Sequence, residues 1–248
     1  MTQVSFAHSA NRTRASLRRT VTLLFLPLVL AACPNGPPAP GAAAGPTTVN
    51  PVAVRRLDNL KSMAASRDWA GIRAVEMSDC DDPQDAVCGE SHAIRALACR
   101  KLATGAAPGA RLSFLNCAVT DGRAALAAGT AVPAERRFDW EHELAWALFD
   151  RRQVVPRTTL CADNVALSEQ ADLLLRHRPN LPDARFLAAS ARFVNVAECG
   201  AVPPSVACAD LAHAAALLTS SPGSADPRWS SLAAAVHLQQ RDSQCLRI

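Results

Sequence analysis

The sequence predicts an all-α domain of helix-turn-helix repeats that are cross-linked by disulfide bonds. Alanine and leucine dominate the composition, whereas strand-favouring aromatic residues are few: there is no Tyr, and there are four Trp and seven Phe. Beyond residue 52 the chain divides into apolar-patterned segments that Pro or Gly separates, and the whole chain contains nine cysteines. An irregular helical bundle is the alternative fold.

The first part of the chain has the features of an export signal. Four arginines between Arg12 and Arg19 precede the apolar run 21–30, which is too short to span a bilayer permanently. Small residues follow this run, as they do at a cleavage site. We therefore expect residues 1–32 to be a signal peptide that is removed on export.

The signal ends in Leu30, Ala31, Ala32 and Cys33, which resembles the lipobox of bacterial lipoproteins. The resemblance implies that Cys33 is acylated with fatty acids such as palmitate and becomes the first residue of the mature chain. Pro34 stands where some lipoproteins of the inner membrane carry Asp, so the resemblance implies the outer membrane, facing the periplasm. An ordinary cleaved signal with an unmodified cysteine is the alternative.

Residues 33–51 comprise the lipidated cysteine and a tether rich in Pro, Gly and Ala. The tether has almost no large apolar residue, so we expect a disordered spacer before the helical domain, residues 52–248. Four of the 26 Lys and Arg lie in residues 1–32, which contain no acidic residue, and the remaining 22 equal the 22 Asp and Glu. This balance gives no charge argument for binding nucleic acid.

Proline and acidic residues mark the ends of the predicted helices. Asp226 can cap a helix that opens with Pro227, and Pro133 with Glu135 makes a similar opening. Pro179 follows a cationic last turn, as expected beyond a helix C-terminus. The predicted helices span residues 52–66, 68–78, 86–103, 109–128, 134–152, 161–178, 183–198, 205–220 and 227–241.

Spacing within the helical domain indicates repeats. Helix 183–198 has small or apolar residues on two sides of a narrow ridge formed by Arg185 and Arg192, as expected for a helix with neighbours on both sides. Small-residue centres recur every 43 to 49 residues, at 96–98, 145–147, 188–191 and 233–235. Residues 86–241 thus resemble tetratricopeptide repeats, although the period exceeds 34 residues and the signature Trp, Gly and Tyr positions are not reproduced.

Eight cysteines remain when Cys33 is set aside. An even number in an exported chain predicts disulfide bonds, and none of the eight lies in a CxxC motif that would favour zinc or a thioredoxin-like site. They are Cys80, Cys88, Cys99, Cys117, Cys161, Cys199, Cys208 and Cys245.

The four C-terminal cysteines form two similar intervals. Cys161 and Cys199 are 38 residues apart, Cys208 and Cys245 are 37 apart, and the two pairs are offset by nearly one repeat. Each interval joins the start of a second helix to the end of the next first helix, and these points share an edge in an antiparallel stack. We predict these two pairs; the alternative joins Cys199 to Cys208 and Cys161 to Cys245.

The N-terminal cysteines are less constrained by spacing. We predict that Cys80 pairs with Cys88 and that Cys99 pairs with Cys117. The alternative is a Cys80–Cys117 bond, which also spans 37 residues and would leave Cys88 with Cys99.

Two motifs suggest metal chemistry but lack a required residue. His142 and Glu143 begin like the HExxH zinc-protease helix, but Trp146 occupies the position of the second histidine. The sequence therefore favours an amphipathic helix here.

An acidic segment has the spacing of a calcium loop. Asp79, Asp81, Asp85 and Glu90 match its positions 1, 3, 7 and 12, but Gln84 stands where the tight turn requires Gly. We predict a solvated loop and no metal here. The sequence also has no nucleophile elbow, P-loop or GxGxxG motif, so we predict no cofactor and no enzymatic activity.

Repeat stacks bind through the face that their first helices line. The candidate binding face comprises Arg95, Glu143, Arg185 and Arg192. Tetratricopeptide lipoproteins, which the chain resembles, assist the assembly of envelope machines such as secretion systems and pili. The resemblance implies a scaffolding or protein-binding module with an envelope protein as partner. An envelope hydrolase or peptidoglycan-acting enzyme is one alternative, and a structural spacer without a specific partner is another.

Overall fold

The computed structural model describes residues 50–80, 82–200, 203–219 and 226–245. Every regular element in these ranges is a helix, which confirms the all-α prediction. Within them, no helix is both long and apolar enough to cross a membrane. Cys33, the signal peptide and the tether up to residue 49 lie outside the described residues.

The helices agree closely with the predicted segments. All their ends lie within one residue of the prediction except the end of α2 and the start of α6. The helices are α1 Pro51–Ala65, α2 Trp69–Ala74, α3 Ala86–Thr104, α4 Pro108–Ala127, α5 Ala134–Arg152, α6 Arg157–His177, α7 Pro182–Ala197, α8 Pro204–Thr219 and α9 Pro227–Asp242. A short 3₁₀ turn, Gly129–Ala131, precedes α5.

The two differences have local causes. Helix α2 ends early because Val75 is extended, and its carbonyl oxygen accepts a hydrogen bond from Arg95 Nη1 at 3.0 Å. Helix α6 starts four residues earlier than predicted because Pro156 caps it in an extended conformation. The Pro156 carbonyl accepts the amide of Leu160 at 3.1 Å and so begins the helical hydrogen bonding.

The helices form a sequential stack. Each one from α3 onward packs against the next, while α3, α5, α7 and α9 also contact one another in series. We call these four the first helices, and α4, α6 and α8 the second helices. Helices α1 and α2 pack on α3 at the N-terminal end. This connectivity is the predicted stack of helical hairpins.

Small side chains fill much of the core. The largest cluster runs from α3 to α7, and several of its alanines have no exposed surface: Ala145, Ala171, Ala184 and Ala188. Because alanine carries only a methyl group, the helix backbones approach one another closely. The alanine-rich composition thus produces the close stacking.

A buried arginine connects three consecutive helices. Arg152, at the end of α5, donates a hydrogen bond from Nη2 to Ser190 Oγ of α7 at 2.7 Å, and Nη1 donates to Asn164 Oδ1 of α6. Burial lowers the pKa of Arg152 to about 10, although the nearby Asp163 carboxylate opposes this shift. The polar link therefore holds α5, α6 and α7 in register at the cost of desolvating a cation.

Four disulfide bonds cross-link the stack. Two join a second helix to the end of the following first helix, and two lie near α3. The pairs are Cys80–Cys88, Cys99–Cys117, Cys161–Cys199 and Cys208–Cys245. All four predicted pairings are confirmed, and the alternative pairings are wrong.

Candidate functional site

An open cleft lies between the first helices α3 and α5, with α4 behind it. Its volume is about 290 Å³, enough for one large side chain. The lining residues comprise Glu90, Ala93, Ile94, Ala96, Leu97, Gly122, Ala125, Arg136, Asp139, Trp140, Glu143 and Leu144. The cleft therefore opens on the side of the stack that the first helices form.

The floor of the cleft is apolar. Ile94 and Leu97 of α3 face Trp140 and Leu144 of α5, because these positions lie one helical turn apart on each helix. Gly122 of α4 forms the base, and a Cβ atom there would lie 3.1 Å from Leu144 Cδ1. The missing side chain lets α4 and α5 approach without filling the cleft.

Charged side chains surround the opening. Glu90 lies 3.4 Å from both Lys61 Nζ and Arg136 Nη1, and Arg100 Nη1 donates to Glu143 Oε2 at 2.6 Å. Asp139 is exposed on the same rim. The cleft thus combines an apolar base, which favours an apolar group, with polar groups that can orient what enters it.

A second set of side chains lies beside the cleft toward α9, with Trp146 and Phe186 buried and the arginines on its outer side half-buried or exposed. We call it the aromatic–arginine cluster: Trp146, Phe186, Trp229, Arg100 and Arg228. The Trp146 and Phe186 rings stack with centroids 6.0 Å apart, and the Phe186 and Trp229 centroids are 5.7 Å apart. The guanidinium carbons of Arg100 and Arg228 lie 5.8 and 5.2 Å from the Trp146 ring. Arg100 also contacts the rim, so the cluster and the cleft are continuous.

His142 and Asp183 form a polar pair beside this cluster. His142 Nε2 lies 3.1 Å from Asp183 Oδ2, and the Trp146 indole N–H donates to the same oxygen at 3.2 Å. The hydrogen bond with His142 lowers the pKa of Asp183, and the bond from Trp146 adds to this effect while burial opposes it. Such a pair can hold or orient a proton, but the described contacts of His142 include no hydroxyl or thiol nucleophile.

The residues of the predicted binding face have separate surroundings. Glu143 is the one that lines the cleft. Arg95 is bound to Asp121 of α4, and Arg192 extends to second helices, where it contacts Asp172 and His213.

Arg185 lies near the turn that precedes α7. Its Nε donates to the Pro179 carbonyl at 2.8 Å, and its Nη2 donates to Asn180 Oδ1 at 3.0 Å. The structure therefore does not gather the four residues around one point, and whether they bind a partner remains a prediction.

The cleft itself is not apparent from the sequence. The helical spacing of Ile94 and Leu97 indicates that they share one face of α3. The residues opposite them, Trp140 and Leu144, lie on another helix much further along the chain. Spacing within α3 could have identified half of the cleft; only the packing of α3 on α5 identifies the rest.

The carboxylates of the calcium-like segment have structural partners. Asp79 pairs with Arg56, and the Asp85 carboxylate accepts the Val87 amide at 2.8 Å as the cap of α3. Glu90 belongs to the rim of the cleft, and Asp81 lies outside the described residues.

Among the residues that the structure describes, one group has the spacing of metal ligands: Cys99, Cys117 and Asp121, with ligand atoms within 4.8 Å of one another. The two sulfurs are bonded to each other, so they do not provide thiolates. The geometry thus favours the cleft and the aromatic–arginine cluster as the candidate site. No protein-family model, no curated protein and no solved structure matches the chain.

Proposed function

We propose that this chain is a lipid-anchored envelope protein that binds a protein partner and acts as a scaffolding module. Cys33 would carry the lipid, which attaches the protein to the outer membrane with its helical domain in the periplasm. The partner would bind the first-helix side at the cleft between α3 and α5. This role requires no metal, cofactor or nucleic acid.

The shape and chemistry of the cleft carry this proposal. An apolar base of Ile94, Leu97, Trp140 and Leu144 can accept one apolar side chain of a partner and exclude water from it. The surrounding Glu90, Arg136 and Glu143 can bind the polar groups beside that side chain. Protein interfaces commonly combine an apolar centre with a polar rim.

The first experiment places a photo-crosslinking residue at Asp139 on the rim, in the full chain and in intact cells. A matched control places it at Val165, which is 56% exposed on the second helix α6. We expect a discrete protein adduct from position 139 and none from position 165. Equal adducts from both positions, or none from 139, would contradict binding at the cleft, and none from either would favour the spacer.

An additional variant tests the cleft without removing a charged rim residue. Ala93→Arg introduces a long cationic side chain into the apolar base, so the adduct at position 139 should disappear while helical circular dichroism is retained. Persistence of the adduct in the folded variant would argue against occupancy of the cleft.

Lipid attachment is tested separately. Cys33→Ser should abolish incorporation of labelled palmitate and move the chain from the membrane fraction to the soluble periplasmic fraction. Labelling that survives the substitution would contradict attachment at this cysteine.

A hydrolase is the second candidate, and the His142–Asp183 pair is the observation that favours it. An activity-based probe for serine hydrolases distinguishes it from a scaffold. Labelling of the purified chain that is lost in His142→Gln would support the enzyme, whereas an unlabelled, folded chain supports the scaffold.

A further inference from the structure

A guanidinium group lies against one of the four disulfide bonds. Arg56 Nη2 of α1 is 2.7 Å from Cys80 Sγ and 3.4 Å from Cys88 Sγ, and its side chain is 8% exposed. Asp79 pairs with the same guanidinium and orients it. A buried cation is therefore fixed beside both sulfurs.

The backbone adds a second positive influence at the same bond. Cys88 lies in the first turn of α3, whose cap is Asp85. The dipole of α3 stabilises a negative charge at this N-terminus, as does an adjacent arginine, while the Asp85 carboxylate that accepts the Val87 amide offsets part of the effect of the dipole. Both features therefore favour Cys88 leaving as a thiolate when the bond is opened.

The other disulfide on α3 has the opposite surroundings. Cys117 Sγ lies 3.4 Å from a carboxylate oxygen of Asp121, and Cys99 is fully buried. A neighbouring carboxylate disfavours a second negative charge, and burial restricts access of a reductant. The group that contacts sulfur therefore differs between the two disulfide bonds of α3: it is a guanidinium paired with Asp79 at Cys80 and a carboxylate paired with Arg95 at Cys117.

The two sulfurs of Cys80–Cys88 also differ in their accessibility to a reductant. Cys80 is half-buried, whereas Cys88 is 3% exposed. An incoming thiolate therefore reaches Cys80 more readily, and Cys88 becomes the leaving group. Thiol–disulfide exchange is faster when the leaving thiolate is better stabilised.

We propose that Cys80–Cys88 is a thiol–disulfide exchange site, which a dithiol opens before the second disulfide bond of α3, Cys99–Cys117. The dithiol's thiolate bonds to Cys80 Sγ, and the electrons of the broken S–S bond go to Cys88 Sγ. The second thiol of the reagent then displaces Cys80. Both cysteines gain a proton and the bond is reduced by two electrons, while the reagent is oxidised to its own disulfide.

Opening this bond would release a short segment and leave the repeat stack closed. The bond spans 8 residues between α2 and α3, whereas Cys161–Cys199 and Cys208–Cys245 join successive helices of the stack. The exchange would thus change the N-terminal end of the domain, where α1 follows the tether.

The test treats the full mature protein with dithiothreitol equimolar to protein, followed by acid quenching, alkylation and peptide mass spectrometry at successive times. We expect Cys80 and Cys88 to be alkylated before Cys99 and Cys117. Arg56→Gln should slow the appearance of these two thiols about three- to tenfold. The neighbouring exposed residue provides the control, Arg55→Gln, which should leave the rate unchanged.

If the role of Arg56 were purely structural, Arg56→Gln would speed the reduction of Cys80–Cys88 instead of slowing it, because a loosened domain exposes the bond. Arg56→Lys, which retains a cation, should open faster than Arg56→Gln. Earlier opening of Cys99–Cys117 would overturn the proposal. So would an Arg56→Gln variant that opens as fast as the unsubstituted protein or faster.

Discussion

Arg95 binds Asp121 through two hydrogen bonds, Nε to Oδ2 at 2.7 Å and Nη2 to Oδ1 at 2.8 Å. The carboxylate is 1% exposed between α3 and α4, and His92 Nδ1 lies 2.8 Å from the same Oδ1. Two side chains of one helix therefore converge on a single buried charge of the next. The pair contributes to the contact between α3 and α4.

We expect Asp121→Asn to lower the free energy of unfolding by about 3 kcal/mol at neutral pH, because Arg95 loses its buried counter-charge. Chemical denaturation with the disulfide bonds intact measures this loss. Asp139→Asn, at an exposed position, is the control and should change stability by no more than about 0.5 kcal/mol. Equal effects of the two substitutions would contradict the role of Asp121.

The same carboxylate predicts a loss of stability in acid. Burial raises the pKa of Asp121, but the hydrogen bonds with His92 and Arg95 outweigh burial, so the folded pKa lies below 3.8. The unfolded chain therefore binds a proton at higher pH than the folded chain. The stabilisation is complete above the unfolded pKa and is lost as pH falls through the folded pKa.

The acid prediction is checked by following the unfolding free energy of the protein and of Asp121→Asn from pH 6 to pH 2. We expect the difference between them to shrink as the pH falls below about 4. A difference that stays constant across this range would show that the ionisation of Asp121 does not contribute.

Gly89 sets the distance between α3 and the end of α4. A Cβ atom at this position would lie 2.8 Å from Ala128 Cβ and 3.2 Å from the Ala125 carbonyl oxygen. We expect Gly89→Ala to destabilise the domain by about 1 to 3 kcal/mol, because the close contact outweighs the better helix propensity of alanine.

The matched control is Gly109→Ala in the first turn of α4, where a Cβ atom would have no neighbour within 4 Å. It should be neutral or stabilising by up to about 1 kcal/mol. Thermal unfolding of both variants provides the measurement. Similar melting temperatures for the two variants would refute the close approach at Gly89.

The disulfide bonds should differ in their contribution to stability. Cys161–Cys199 spans 38 residues and Cys80–Cys88 spans 8, so the first restricts the unfolded chain more. Replacing both cysteines by alanine should cost about 4 kcal/mol for the long bond and about 2.5 kcal/mol for the short one. Denaturant titration of the two double variants compares their losses of unfolding free energy. A larger loss for the variant without Cys80–Cys88 would contradict the prediction.

Much of this fold could be predicted from the sequence because its signals are local. Proline and aspartate residues mark most of the helix starts. The offset of nearly one repeat between Cys161 and Cys208 predicts the C-terminal disulfide pairs. Both signals depend on distance along the chain. They therefore do not require knowledge of how the helices pack.

The buried polar contacts could not be predicted in this way. Arg95 is predicted to belong to a binding face because it lies on a first helix of the stack, yet its partner Asp121 lies on the next helix. Arg152 and Ser190 are 38 residues apart. Such pairs depend on the rotation of each helix about its axis, which the packing of many side chains decides together.

The distribution of tryptophan gives the protein an optical property. Since tyrosine is absent, the four tryptophans dominate its near-ultraviolet absorbance and emission. Trp140 lines the cleft, Trp146 and Trp229 belong to the aromatic–arginine cluster, and Trp69 lies apart in α2. Intrinsic fluorescence therefore reports mainly on the first-helix side, and binding there can be followed without an added label.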